Sequence, residues 1–324
     1  MTPRVTIAVC TRNRAAILPR SVEAAAVEAR TTGGEVLVVD NASTDDTAAV
    51  ARRLAGEHVR VAFEAEVGLS AARNRALAEA RAEIVAFLDD DATPRPGWLA
   101  ALLAPFAAPG VAAVGGRIAL AFATPPPAWL VPELHGALSA YDLGSAPRRV
   151  RYGEATYPFG GNVAVRAADV RAVGGYSVRF GLRGTAQLQH EDIDLCYRLD
   201  AAGREVRYAP DATIDHWIAA DRLVPAWFLE RHRRGGESAA LFILRHRGVA
   251  RALWRIRWLY GPALLRAPYA PREPVDGARL AHECRRQEAL GYLAGLVRAL
   301  PHLATVRGGR ETPPLAVPGG ALPR

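Results

Sequence analysis

The sequence predicts an α/β fold: an open, mostly parallel sheet flanked by helices, with a helical extension at its C-terminal end. Three observations carry this reading. Short apolar runs alternate with segments of helical period over residues 5–121, and strands joined by helices imply right-handed crossovers and parallel pairing. The apolar runs do not alternate with polar residues, as expected of strands covered on both faces. From Leu223 onward the strand pattern disappears and the chain reads as arginine-rich helix.

The elements follow in order. Val5–Cys10 is a strand and Ala15–Arg30 a helix. Val36–Val39 is a second strand, and Thr44–Leu54 a helix with Ser43 or Thr44 as its cap. Val59–Phe63 is a third strand. Ser70–Arg81 is a helix capped by Ser70. Ile84–Leu88 is a fourth strand, and Val111–Ala121 a fifth, interrupted at Gly115–Gly116. Thr124-Pro-Pro-Pro127 ends the pattern, and residues 124–158 read as a long loop or insertion. Order resumes at Gly160–Arg166. Glu191–Ala201 has helical spacing, and Val206–Tyr208 and Ala212–Ile214 read as short strands. The expected organisation is a sheet domain over 1–217, arginine-rich helices over 218–307, and a loose Gly- and Pro-rich tail over 308–324.

Composition narrows the class. At 324 residues, 50% hydrophobic and 23% charged, the chain is too apolar to be disordered. No apolar run approaches the ~18 residues that span a bilayer, and the N-terminus does not read as a signal peptide. The three cysteines form no CxxC pair, which argues against a disulfide framework or a cysteine zinc site and fits a reducing cytoplasm. All 41 basic residues are arginine against 33 acidic ones, a net charge of +8 that attracts nucleotides, nucleic acids or anionic lipid without choosing among them. Arg231–Arg234 and Arg251–Arg257, the latter with Trp254 and Trp258, make basic amphipathic faces. Two readings stand: solvated helix surface with the tryptophans packed inward, or contact with a membrane surface.

Ligands of open parallel sheets bind beyond the carboxyl ends of the strands. Strand one runs into Thr11-Arg12-Asn13-Arg14, strand two into Asp40-Asn41-Ala42-Ser43, and strand four into Asp89-Asp90-Asp91. Turn and cap chemistry would explain strand two by itself, but all three ends share one edge. Adjacent carboxylates repel, and a divalent cation relieves the repulsion, with hard oxygen ligands selecting magnesium or manganese. In extended backbone Asp89 and Asp91 point one way and Asp90 the other, so Asp89 and Asp91 are the pair expected to ligate the metal ion. The alternative is a solvated turn before a helix starting at Pro96 or Gly97. Gly68-Leu-Ser-Ala-Ala-Arg73-Asn74 opens a helix whose N-terminus, with Arg73, suits a diphosphate; an ordinary capped helix is the alternative. His190-Glu191-Asp192-Ile193-Asp194 places carboxylates in a first helical turn, where the dipole favours them. One of Glu191 and Asp192 is then free to act as a general base while the other is held by the scaffold. His216 reads either as a metal ligand or as a structural histidine.

Taken in order, these segments resemble the inverting family-2 glycosyltransferases of the GT-A fold. The matching pieces are Val5–Arg14, Val38–Thr47, Gly68–Asn74, Phe87–Asp91, Gly161-Asn162, Gly174-Gly175-Tyr176 and His190–Asp192. The resemblance implies roles. Asp40 would bind the nucleotide base near Thr11 and Arg12. Arg73 would hold the diphosphate, Asp89 the ribose side, and Asp91 a metal bridging the diphosphate. Arg14, Asn41, Ser43, Gly68, Asn74 and Asp90 would complete the nucleotide-binding motifs. Gly161 and Asn162 would line the donor sugar and acceptor side. Asp192 would be the catalytic base with Glu191 beside it, and His216 would be a further metal ligand. The implied cofactor is Mn2+ or Mg2+, and the implied substrates are a nucleoside-diphosphate sugar and an acceptor that is a glycan, a lipid-linked sugar or a small molecule.

The chain departs from the family's polysaccharide synthases. Their Gln-x-x-Arg-Trp motif is replaced by Leu229-Glu-Arg-His-Arg-Arg-Gly-Gly236, which argues for single-sugar, non-processive transfer. A sugar nucleotidyltransferase would need a glycine-rich loop with Arg and Lys after strand one, where Thr11–Arg14 has neither glycine nor lysine. A catalytically inactive module gripping membrane or nucleic acid is a rival of another class; the filled acidic positions argue against it, and no nucleic acid is expected. The expected location is cytoplasmic, with the basic helices leaving open a peripheral contact at the inner face of the plasma membrane.

Overall fold

The computed structural model describes residues 3–154, 156–178, 182–183, 186–187 and 189–299. The N-terminal half forms β1 (Thr6–Thr11), α1 (Leu18–Thr32), β2 (Glu35–Asp40), α2 (Thr47–Leu54), β3 (Val59–Phe63), α3 (Leu69–Glu79), β4 (Ile84–Leu88), β5 (Ala92–Pro94), α4 (Trp98–Leu103) and β6 (Val111–Phe122). There follow β7 (Arg148–Val150), β8 (Asn162–Arg166), α5 (Ala167–Ala172), the two-residue strands β9 (Leu182–Arg183) and β10 (Ala186–Gln187), α6 (Glu191–Ala201) and β11 (Glu205–Ile218). The chain closes with α7 (Pro225–Arg255), a π-helical turn at Ile256–Tyr260, α8 (Gly261–Leu264) and α9 (Gly277–Ala299).

The sheet order is β3-β2-β1-β4-β8-β6-β11-β5, with β7 added against β11. β1 to β4 pair in parallel, and so do β6 and β11, whereas β8 lies antiparallel between β4 and β6. β5 and β7 are antiparallel additions to β11. The mostly parallel sheet is therefore present, with β8 as its reversal point. Val36–Val39, Ile84–Leu88 and Val111–Val114 are buried throughout, so their unbroken apolar sequence matches a sheet covered on both faces.

Several local expectations are revised. α2 begins at Thr47 after Asp46, with no side-chain cap, because Ser43 and Thr44 are drawn instead to Asn13. α3 is capped by Gly68, and Ser70 is buried inside its first turn. β6 runs on through Gly115 and Gly116; a Cβ on Gly116 would lie 1.9 Å from the Ala212 carbonyl oxygen, so glycine is there for strand approach and not as a break. The two short strands expected near 206 and 212 are one strand, β11, whose register shifts between Ala209 and Ile214. The 124–158 stretch contains a 3-10 helix at Pro132–Leu138 and the strand β7. The expected tail at 308–324 lies outside the described residues.

Candidate active site

The carboxyl ends of β1, β2 and β4, the start of α3, the β8 entry and the start of α6 converge. Thr11 and Asp40 lie side by side at the ends of β1 and β2. Thr11 Oγ1 donates to Asp90 Oδ2 at 2.6 Å, which turns Asp90 toward β1 and away from its two neighbours. Burial, then Asp91, push the Asp90 carboxyl up to about 7, against the Thr11 hydrogen bond.

Asp91 is buried and meets two basic side chains. His216 Nε2 stands 3.2 Å from its Oδ1, and Arg222 Nη2 donates to its Oδ2 at 3.0 Å. Burial works against the Asp91 carboxylate, but His216 and Arg222 hold it below the usual carboxylate range. The His216 register is set by the sheet: β11 pairs with β5 so that His216 faces Ala92, and the next residue, Trp217, donates its backbone N–H to the Asp91 carbonyl at 2.8 Å. His216 Nδ1 lies 2.9 Å from the Leu138 carbonyl, which assigns its proton there and leaves Nε2 as the nitrogen facing Asp91. Ligand histidines are oriented in this way by a second hydrogen bond.

Arg73 joins this edge to α6. It is buried, donates to Glu191 Oε1 at 2.9 Å, and lies 3.8 Å from Asp89 Oδ1. Its guanidinium also stacks over Tyr176 at 5.3 Å and Phe87 at 5.9 Å. Burial would weaken the cation, but Glu191, Tyr176 and Asp89 hold its pKa above the ordinary arginine value. Glu191 is pushed upward by burial and by Asp192, with Arg73 opposing. The Gly160-Gly161 backbone lies flush on this pair: a Cβ on Gly160 would stand 2.3 Å from Arg73 Nη2, and one on Gly161 2.3 Å from Asp89 Oδ2. Asp192 accepts the Gly160 N–H at 2.8 Å through Oδ2 and the Ile193 N–H at 2.8 Å through Oδ1. Its neighbour His190 sits at φ 81, the left-handed conformation from which α6 starts.

The structure thus brings Asp89, Asp91, His216, Arg73, Glu191, Asp192, Gly160 and Gly161 into one linked constellation, with Thr11 and Asp90 behind it. Asp40 accepts the Ser43 N–H at 3.2 Å, and Ser43 accepts the Asn13 N–H at 3.0 Å, so both shape the β2 turn. Arg12 donates to the Asn41 carbonyl at 3.3 Å, and Arg14 lies 4.0 Å from Asp90. The three asparagines expected at the ligand are tied to the scaffold. Asn41 donates to the Glu64 and Glu66 carbonyls and accepts from the Gly68 N–H at the start of α3. Asn74 brackets the Tyr176 backbone through both amide atoms. Asn162, fully buried, links Trp98, Arg117 and Ala212. Each of these three carboxamides is met by backbone or indole groups of the scaffold and so positions the surrounding loops.

The family model described as Glycosyl transferase family 2 matches residues 6–174. The chain belongs to glycosyl transferase family 2. It is 35% identical over 182 residues to the pre-mycofactocin glycosyltransferase of Mycobacterium tuberculosis, a match covering 55% of this chain and 36% of that protein. The chain therefore matches little more than a third of that relative's length. Its fold is similar to that of a mannosyltransferase of Pyrobaculum calidifontis solved with GDP-Man and Mn2+, with a TM-score of 0.54, 23% identity, and coverage of 95% of this chain and 80% of that one. It is also similar in fold to GalNAc-T7 solved with UDP, GalNAc and Mn2+, with a TM-score of 0.57, 14% identity, and coverage of 92% and 57%.

The sequence singles out Arg231, with Arg233 and Arg234, as able to meet a diphosphate or an anionic acceptor, and gives Arg222 no role. Arg222 contacts Asp91, and Arg231 is close enough for the charges of Glu191, Asp192 and Asp89 to act on it. With 41 arginines in the chain, nothing in the local pattern marks Arg222. Asp194 was quoted in its motif without a role; it proves to be the anchor of α6, bonded to His246 on α7 at 2.7 Å.

Proposed function

We propose that this family-2 chain moves a sugar from a nucleoside-diphosphate sugar to an acceptor hydroxyl, with inversion at the anomeric carbon and one sugar per encounter. The observation that supports the reading is that one sheet edge holds the Asp91–His216 pair and, through Arg73 between Asp89 and Glu191, the start of α6, with the charges of Asp91 and His216 acting on Asp89. It pairs a cation-competent end with a base-competent end on one sheet edge.

The donor set fits a divalent ion. Asp91 offers a carboxylate whose charge is already favoured, and His216 offers an Nε2 oriented by the Leu138 carbonyl. Among the described residues no three His, Cys, Asp or Glu side chains are grouped to hold a metal ion; magnesium-type ions are usually bound by one or two carboxylates together with substrate phosphates. A bound ion would supply charge neutralisation for the departing diphosphate. Asp91 and His216 would hold it, with Arg222 giving up its contact to Asp91.

The chain's own residues supply the rest. Asp192 takes the proton of the attacking hydroxyl as the new C–O bond forms on the face opposite the diphosphate. The anomeric C–O bond to phosphate breaks, and the electron pair leaves with the nucleoside diphosphate. The Gly160 and Ile193 N–H groups hold the Asp192 carboxylate in one orientation. Glu191 and Arg73 fix the helix start to the sheet edge, and Arg73 adds positive charge where the leaving group gathers negative charge.

The test is a panel of UDP-, GDP- and dTDP-sugars scored by thermal shift with and without Mn2+. A matching donor at about 100 times its Kd should stabilise the fold by roughly 2.7 kcal/mol, and only with the ion present. Absence of any nucleotide response across the panel would overturn the reading.

A further inference from the structure

The C-terminal helices carry a second surface, remote in sequence from the catalytic motifs. α7 is broken at Gly248, where φ 77 and ψ 176 put a kink between two helical segments. The arm that follows packs back on α9: Ala252 and Tyr260 are buried, the rings of Tyr260 and Tyr292 are 4.6 Å apart, and Arg255 turns inward to the Tyr260 hydroxyl. The other side of the arm is open. Leu253 is 58% exposed, Trp254 45%, Trp258 61%, Leu259 50% and Leu265 90%. Soluble surfaces do not usually expose so many large apolar side chains along one short segment, and such segments mark contact sites. This overturns the inward packing expected for the two tryptophans.

The charge around the patch is one-sided. Residues 239–272 contain seven arginines (245, 247, 251, 255, 257, 266 and 272) and no aspartate or glutamate. Arg251 lies over the Trp254 ring at 3.9 Å and Arg257 over the Trp258 ring at 4.9 Å, so guanidinium and indole are presented together. Exposed tryptophan and leucine beside arginine, with acid excluded, is the chemistry of an element lying in the headgroup layer: indole at the interface, aliphatic side chains below it, and cations on lipid phosphate. The same surface against an ordinary acidic protein would leave the leucines without a partner. Among the described residues no helix is long and apolar enough to cross a membrane, so the contact is a surface one.

We propose that the arm after Gly248 docks the chain on an anionic bilayer through Leu253, Trp254, Trp258, Leu259 and Leu265, with Arg251, Arg257 and Arg266 on the lipid phosphates. This inference does not depend on the glycosyl-transfer reading, and its test reads no catalytic activity.

The experiment is flotation of the full chain with vesicles of phosphatidylcholine alone and of phosphatidylcholine mixed in equal parts with phosphatidylglycerol. The chain is expected to float with the mixed vesicles and not with the neutral ones, and raised salt should weaken the binding. W254S/W258S and R251E/R257E, all at exposed positions, should each lower the bound fraction roughly tenfold with unchanged melting temperature. Equal flotation of W254S/W258S and the parent would overturn the proposal, as would failure of the parent to float. Light scattering on the same samples separates two other occupants. Self-association abolished by W254S/W258S, without flotation, would assign the patch to a second copy. Flotation only after removal of residues 300–324 would assign it to that segment; either result overturns membrane docking for the full chain.

Discussion

Asp192 and Gly161 carry the proposed chemistry and the geometry of the site. Asp192 accepts two backbone N–H groups at 2.8 Å, from Gly160 and Ile193, and under the proposed reaction it is the general base. Asp192→Asn should lower kcat by about 100- to 10,000-fold, the usual range for a lost general base, while the Kd for the nucleoside diphosphate stays within twofold in calorimetry. Loss of nucleotide binding would place the base elsewhere. Gly161 acts by having no side chain. In Gly161→Ala the added methyl would meet Asp89 Oδ2 at 2.3 Å, so the carboxylate must swing aside. The variant should keep its melting temperature to within a few degrees and lose at least about tenfold in donor affinity, read by Mn2+-dependent nucleotide titration. Arg222 makes a related case. Its contact with Asp91 is the one a metal would displace, so Arg222→Ala should tighten apparent Mn2+ affinity at Asp91, measured by titration with the ion alone.

At the scale of the element, α6 is the piece that must not move. Its first turn carries Glu191 and Asp192, and Asp194, two residues after Asp192, ties it to α7. Asp194 is fully buried and meets His246 Nε2 at 2.7 Å, Arg198 Nε at 2.8 Å and Arg245 at 3.8 Å. Burial pushes the Asp194 carboxyl up, but His246, Arg198 and Arg245 together bring it below the ordinary carboxylate range. A carboxylate depressed in the folded state stabilises fully above its unfolded pKa, and the gain disappears as pH falls through the folded value. Asp194→Asn should therefore cost about 3 kcal/mol at neutral pH, and the gap from the parent should close in acid. Urea melts at pH 7 and in acetate buffer near pH 3.5 would show this; a gap that widened in acid would contradict it.

At the scale of the molecule, the arginine-rich helices and the sheet domain share side chains. Tyr152 from the 124–158 stretch, Tyr197 from α6 and Phe242 from α7 meet with ring centroids 5.3 to 5.8 Å apart. The helical region thus packs against α6, the helix that carries Glu191 and Asp192, and this packing crosses the division expected near residue 217. Phe242→Ala should destabilise by about 3–5 kcal/mol and should raise hydrogen-exchange rates in α6 as well as α7. Exchange rising in α7 alone would show the two to be uncoupled.

What the sequence determined by itself is whatever rests on near neighbours. Strands of unbroken apolar residues, their alternation with helices, and the polar residues at the strand ends are set by side-chain period and backbone chemistry. The family resemblance and the split of Asp89 and Asp91 from Asp90 were legible for the same reason. The tertiary structure alone decided what rests on distant neighbours. Asn41, Asn74 and Asn162 are bonded to backbone groups 23 to 102 residues away in sequence. Arg222 reaches Asp91 across 131 residues, and Trp254 and Trp258 of the arm after the Gly248 kink lie exposed. Local pattern cannot encode such pairings, since the energy that chooses them appears only when burial removes water from both partners at once.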